Sequence, residues 1–261
     1  MNGGLLMADI LTETCLMCNE PLQLRLTMAS IISFKALEWP VLCSTCQNNF
    51  VLLDSTGIQC FACRRQLTKG LQDAYRQAYQ TEAGPCCFDC LHWLESVPLE
   101  LMNHRALFDY NDATKDWISR YKYQADSRLA HVMKKSLQVA YQDYKHYRWV
   151  ILPSSPVSLM RRRFHPVAYL LDLANIPYLI PFDYTGDGVK QADKSKTERL
   201  KLVESYRLND QVGNLIGQDI LIFDDVYTTG ATMMQAKRLI HSVKGVGEII
   251  SLSIGRDQLN K

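Results

Sequence analysis

Ile220-Leu-Ile-Phe-Asp-Asp-Val-Tyr-Thr-Thr-Gly-Ala-Thr232 reads as a buried strand that ends in two carboxylates and turns, through small and hydroxyl-bearing residues, into a helix. A run of four apolar residues suits a strand covered on both faces, as in a parallel sheet. Ligands bind outside the carboxyl ends of such strands, so Asp224 and Asp225 are expected to project into a crevice. Tyr227, Thr228, Thr229 and Gly230 then present backbone N–H groups at a helix N-terminus, with the hydroxyls of Thr228, Thr229 and Thr232 nearby. Such a turn suits a phosphate. A strand ending in acids also fits a nucleotide hydrolase, but no G-x-x-x-x-G-K-[ST] occurs in the chain, which argues against that class. Response regulators share the acidic strand end and lack the Thr-Thr-Gly turn.

Outward from this segment, residues 149–152, 178–182 and 248–254 are further strand candidates, separated by helical patterns at 116–123, 127–144, 164–174 and 229–243. Alternation of short apolar runs with amphipathic helices predicts an α/β domain with a parallel sheet. The polar stretch 183–197 predicts a functional loop. With 261 residues, 47% of them hydrophobic, the chain is neither disordered nor fibrous, and its length predicts one large domain with a smaller one. No apolar run of 18 residues occurs, which excludes a membrane-spanning helix. Residues 1–9 have neither the basic start nor the apolar length of a signal peptide, so the cytosol is expected.

All nine cysteines fall before residue 91, and eight form C-x-x-C pairs: Cys15/Cys18, Cys43/Cys46, Cys60/Cys63 and Cys87/Cys90. In a reducing compartment such clusters are metal ligands before they are disulfides. The second pair follows the first by 28 positions and the fourth follows the third by 27, which suggests a duplication. Two tandem four-cysteine zinc modules are expected, 15/18 with 43/46 and 60/63 with 87/90; an interleaved pairing is the alternative. All-sulfur sets point to structural zinc, because catalytic zinc keeps an open position. Cys86 is the spare thiol, and His92 and His104 are expected at the surface.

The segment 220–232 resembles the phosphoribosyl pyrophosphate (PRPP) motif of type I phosphoribosyltransferases. The resemblance implies that Asp224 and Asp225 hold the ribose hydroxyls, that Tyr227, Thr228, Thr229, Gly230, Ala231 and Thr232 hold the 5′-phosphate, and that Mg²⁺ accompanies PRPP. Cysteine modules ahead of such a domain resemble the ComF family of competence proteins. Tyr121-Lys122-Tyr123 is similar to that family's Tyr…Leu-Lys-Phe segment, and Lys194, Ser195 and Arg199 lie in a stretch similar to its Gln-x-x-Leu-Ser-x-x-Glu-Arg loop. Ser154 and Ser155, with Arg161, Arg162 and Arg163, occupy the family's diphosphate-facing stretch. There Arg163 stands where Gly is usual and His165 where Asn is usual. The expected division is a zinc-binding region at 1–105 and a phosphoribosyltransferase-like domain at 106–261.

The family resemblance further implies a cytosolic step in DNA uptake, on single-stranded DNA and with a helicase encoded beside it. Charge distribution agrees. Residues 115–163 hold eleven Lys/Arg against three Asp/Glu, while residues 1–114 hold seven against twelve. Lys115, Arg120, Lys122, Arg128, Lys134 and Lys135 are candidates for strand phosphates, and interleaved Trp117, Tyr121, Tyr123, Tyr141, Tyr144, Tyr147 and Trp149 for stacking on bases. The competing expectation is an enzyme that transfers phosphoribose from PRPP to an amine or base, with zinc as scaffold only.

Overall fold

The computed structural model of the chain describes residues 14–22, 32, 39–53, 56–70, 72–97, 100–186 and 205–257. A short helix α1 (Ser44–Asn49) and a hairpin of β1 (Tyr79–Thr81) and β2 (Gly84–Cys86) precede helix α2 (Phe88–Ser96). Strands and helices then follow as β3 (Asn103–Asp109), α3 (Asp112–Ile118), α4 (Ala130–Tyr144), β4 (Arg148–Ile151), α5 (Pro156–Arg162) and α6 (Pro166–Leu173). An antiparallel pair, β5 (Phe182–Tyr184) with β6 (Tyr206–Leu208), leads to β7 (Ile220–Tyr227), α7 (Ala231–His241) and β8 (Ile249–Arg256).

The main sheet runs β3-β8-β7-β4, all parallel, and a parallel bridge from Val150 to Leu179 continues it past β4. This is the expected α/β architecture. The segment read as a strand at 178–182 makes only that bridge before β5. Strand β3 carries no continuous apolar run, because it lies at the edge of the sheet and is only partly covered. It spans residue 105, where the sequence reading divides the chain.

Alternation along β7 sorts two cores. Leu221 and Phe223 join Trp149, Ile151, Leu137, Leu170 and Leu171 on the α4/α6 face, whereas Ile220 and Ile222 join Val150, Met233, Ala236 and Ile240 on the α7 face. The first cysteine region contributes Leu16 to the former core, and Cys60, Cys63, Cys87, Cys90 and Trp93 belong to the latter. The two cysteine modules thus sit on opposite faces of one sheet.

Helix α3 starts earlier than the periodicity suggests, because Asn111 caps it by accepting from the Thr114 amide at 3.1 Å. After it, Ser119–Tyr123 winds as a π-helix. Residues 51–53 lie along the end of β3, with Leu53 N donating to Leu107 O and Asp109 N to Val51 O, so the sheet edge is covered over residues 107–109. Among the described residues no helix is long and apolar enough to cross a membrane.

Candidate phosphate site and metal centres

The two cysteine modules repeat one backbone device. Cys15 N donates to Glu20 O and Cys60 N to Arg65 O, each at 2.8 Å, and Asn19 and Arg64, at equivalent positions, take left-handed conformations with φ of 63° and 58°. The turn lets two thiols of a knuckle face one point. Sulfurs of Cys15, Cys18, Cys43 and Cys46 lie within 4.8 Å of one another, as do those of Cys60, Cys63, Cys87 and Cys90. The Cys18–Cys43 and Cys63–Cys87 separations are 3.7 and 3.6 Å. A tetrahedron with Zn–S bonds of about 2.3 Å has edges of about 3.8 Å, so both sets fit zinc with no fifth position. Cys86 stays outside the second set, donating to Cys87 O; its hydrogen bond with Cys60, aided by burial, pushes it up to about 12 and keeps it a thiol.

The end of β7 and the start of α7 form the candidate phosphate turn. Gly230 takes φ 86° at the helix N-cap, and a Cβ there would collide with the Tyr227 hydroxyl, so no side chain fits. Tyr227 is locked beneath the turn. Its ring stacks on His104 at 3.9 Å and lies 4.6 Å from the Arg256 guanidinium. His104 is therefore fully buried rather than at the surface. Ser253 donates to Gly255 O and so accepts from His104 Nε2–H, while Ser251 hydroxyl serves Nδ1. Burial, with the Arg256 charge, holds His104 well below the usual imidazole range and neutral.

Asp224 and Asp225 stand side by side at the carboxyl end of β7. Asp225 is 2% exposed and paired with Lys122 at 2.5 Å, and Lys122 comes from the π-helical turn. Burial opposes the lysine charge, but the two carboxylates outweigh it and raise Lys122 above its ordinary range. Burial, then the neighbouring Asp225, push Asp224 up to about 7. A carboxyl whose folded value is raised binds its proton more tightly when folded, so stability falls as pH rises from about 4 towards 7 and stays reduced above. Asp224→Asn is accordingly expected to raise urea stability at pH 8 and to leave it nearly unchanged at pH 4. Asp224 is half-buried, and solvent screening discounts the gain to about 1–2 kcal/mol. An equal change at both pH values would refute this origin.

The loop after β4 reaches the same edge, since Ile151 lies in register with Phe223. Ser155 caps α5, accepting from the Ser158 amide, and His165 Nε2–H donates to Leu152 O at 2.9 Å. His165 supplies the cap that Asn would give: its Nδ1 accepts from Ala168 N at 3.1 Å at the start of α6. Arg162 is half-buried; burial lowers it, and Asp225 acts in the opposite direction. Arg163 keeps the left-handed conformation that Gly would favour, at φ 63°. The strain of a side chain there predicts that Arg163→Gly raises the unfolding free energy read from the urea transition by about 0.5–1 kcal/mol. A lowered midpoint would show that Arg163 contacts outweigh the strain.

Other basic candidates divide. Arg120 donates to Leu16 O and Met17 O at 2.6 and 2.8 Å, clamping the first knuckle, and Lys122 serves Asp225. Lys115 lies 3.5 Å from Asp112, and Arg128 bonds Asp126 through two nitrogens. Arg128 and Lys135 are exposed, and Lys115 and Lys134 half-buried. The aromatic residues are mostly core: Trp117, Tyr121 and Trp149 are buried, Tyr121 donating to Pro166 O, and only Tyr123 of the seven is exposed. Helical and strand periodicity turns them inward, so a stacking platform is not formed by these three. Lys194, Ser195 and Arg199 lie outside the described residues; β5 and β6 pair on either side of that segment.

No protein-family model matches the chain. A hypoxanthine phosphoribosyltransferase from Staphylococcus aureus overlaps 48% of this chain and 61% of its own, with a TM-score of 0.27 and 15% identity, a likeness too slight to define the fold. Competence protein ComFC of Bacillus subtilis (strain 168) is 27% identical over 187 residues, 69% of this chain and 77% of the relative. Competence protein ComFC of Streptococcus pneumoniae (strain ATCC BAA-255 / R6) is 30% identical over 243 residues, 93% of this chain and 99% of the relative. A shared sequence over so nearly the whole length of both proteins means that the chain belongs to the ComFC family of competence proteins.

Proposed function

We propose that the protein serves DNA uptake in natural transformation from the cytosol, holding PRPP at the β7–α7 turn and single-stranded DNA on its basic surface. The observation that carries the reading is the acidic pair beside a left-handed glycine turn at the carboxyl edge of a parallel sheet. The turn 227–232 would take the 5′-phosphate, Asp224 and Asp225 the ribose hydroxyls, and Ser154, Ser155 and Arg161–Arg163 the diphosphate. Lys122 and Arg162 bring positive charge to the same crevice. Mg²⁺ bound with PRPP supplies screening of the diphosphate charge. Calorimetry with PRPP and Mg²⁺ is expected to show binding by wild type and none by Asp224→Ala/Asp225→Ala; no binding by wild type refutes the reading.

For DNA, four phosphate contacts by Lys115, Arg128, Lys134 and Lys135 would give a logarithmic salt slope of about −3. Salt-independent binding would remove that part.

The transferase reading rests on the acidic pair, Asp225 buried and Asp224 half-buried, with cations at hand. The bond from ribose C1 to diphosphate would break as one to an amine or base forms, with Asp224 and Asp225 stabilising positive charge at the ribose. Diphosphate released only when an acceptor is present would favour it.

A further inference from the structure

The back of the phosphate turn is held from the second metal module. Tyr227 O accepts from Arg256 at 3.2 Å and from Asp257 N at 2.9 Å, and Thr228 O accepts from Arg256 at 2.6 Å. Thr229 O accepts from the Trp93 indole at 2.7 Å. Trp93 stands on α2, three residues after Cys90, and the other terminal nitrogen of Arg256 donates to Cys63 Sγ at 3.2 Å. Three consecutive carbonyls are therefore drawn towards the sulfur set. In a trans peptide the C=O and the following N–H point in opposite directions, and no cis peptide occurs among the described residues. The N–H groups of Thr228, Thr229 and Gly230 are thereby turned the other way, away from the sulfur set.

We infer that the second metal centre is the rear wall of the phosphate site, with Arg256 and Trp93 as positioning residues that aim the turn's amides at the ligand. The inference rests on the phosphate reading proposed above. Arg256 is fully buried, and its two terminal nitrogens donate to the Tyr227, Thr228 and Asp257 carbonyls and to Cys63, with the Tyr227 ring against its face. A guanidinium so enclosed can hold the turn only while the cysteine set holds its other end in place. Trp93 has the same dependence, because the ligand Cys90 fixes α2 one turn before it. Among the described residues the first module packs instead through Leu16 into the core on the other face. Metal occupancy of the second centre and phosphate affinity are thus expected to rise and fall together.

The test uses the zinc-loaded full chain, ribose 5-phosphate as probe, and Arg256→Met and Trp93→Phe as variants. Trp93→Phe removes the indole donor with little loss of packing. Zinc content, calorimetry and hydrogen exchange of the 228–230 amides are read on each. Expected are two zinc ions per chain, affinity weakened about 10- to 100-fold, and faster exchange at the turn. Wild-type affinity and exchange in both variants would overturn the inference. If wild type does not bind ribose 5-phosphate, the phosphate reading fails by itself. Exchange then still decides the positioning roles: slow 228–230 amides in both variants overturn them, and fast ones in zinc-loaded protein uphold them.

Discussion

Loss of metal from the second centre is expected to lower the melting temperature by about 10–20 °C, and loss from the first by clearly less. Structural zinc contributes folding free energy outright, about 10–16 kcal/mol in isolated finger peptides. A domain with its own core retains part of that, so a loss of about 5 kcal/mol is the scale, at about 2–4 °C per kcal/mol for a chain this size. The difference between centres follows from burial. Cys60, Cys63, Cys87 and Cys90 are all buried within the α7-face core, so without metal four thiols remain in apolar surroundings with their geometry unfixed. Cys18 is exposed and Cys43 and Cys46 are half-buried, so the first set can relax into water. Thermal unfolding of Cys63→Ser and Cys18→Ser, each with zinc counted by mass spectrometry, checks this. Equal shifts would mean that burial does not set the contribution of either centre.

The turn at 227–232 and the knuckles were legible because each depends on chemistry confined to a few adjacent residues. A Gly at an N-cap, two carboxylates at a strand end and C-x-x-C turns announce themselves locally. What surrounds the turn does not. Strict alternation would send Tyr227 to the same face as Leu221 and Phe223, and Arg256 to that of Ile250, Leu252 and Ile254. Instead Tyr227 joins the opposite core and Arg256 reaches Cys63. These two residues are register partners at the ends of β7 and β8, where the alternation breaks, so the period gives the wrong face. Arg256 also meets Cys63 across 193 positions, a separation no local pattern spans. His104 was misplaced for a related reason: an edge strand gives no apolar run to show that one of its residues is covered.

Lys122 illustrates the limit of charge counting. A basic excess over residues 115–163 suggests a cationic surface, yet Arg120 and Lys122 have their charges engaged inside the protein by carbonyls and a carboxylate. Regional charge gives the field that a nucleic acid would meet. Which cations are free to meet it depends on three-dimensional partners.

Breaking the buried ion pair between Arg65 and Asp89 is expected to cost about 3–5 kcal/mol. The pair, 2.5 Å apart, joins the third knuckle to α2: Arg65 follows Cys63 by two residues, and Asp89 lies between Cys87 and Cys90. Neither side chain is more than 1% exposed. Arg65 also donates to Tyr75 O at 3.2 Å and faces the Tyr75 ring at 6.0 Å. In Asp89→Ala the guanidinium keeps those contacts but loses its counter-charge, and water cannot replace it at that depth. The cost is thus mainly that of an uncompensated buried charge, which the double variant Arg65→Met/Asp89→Leu removes. Urea unfolding of the zinc-loaded proteins should place the double variant nearer wild type than Asp89→Ala. If the double variant is the less stable of the two, the pair contributes more than mutual neutralisation, and Arg65 is holding the knuckle through Tyr75 as well.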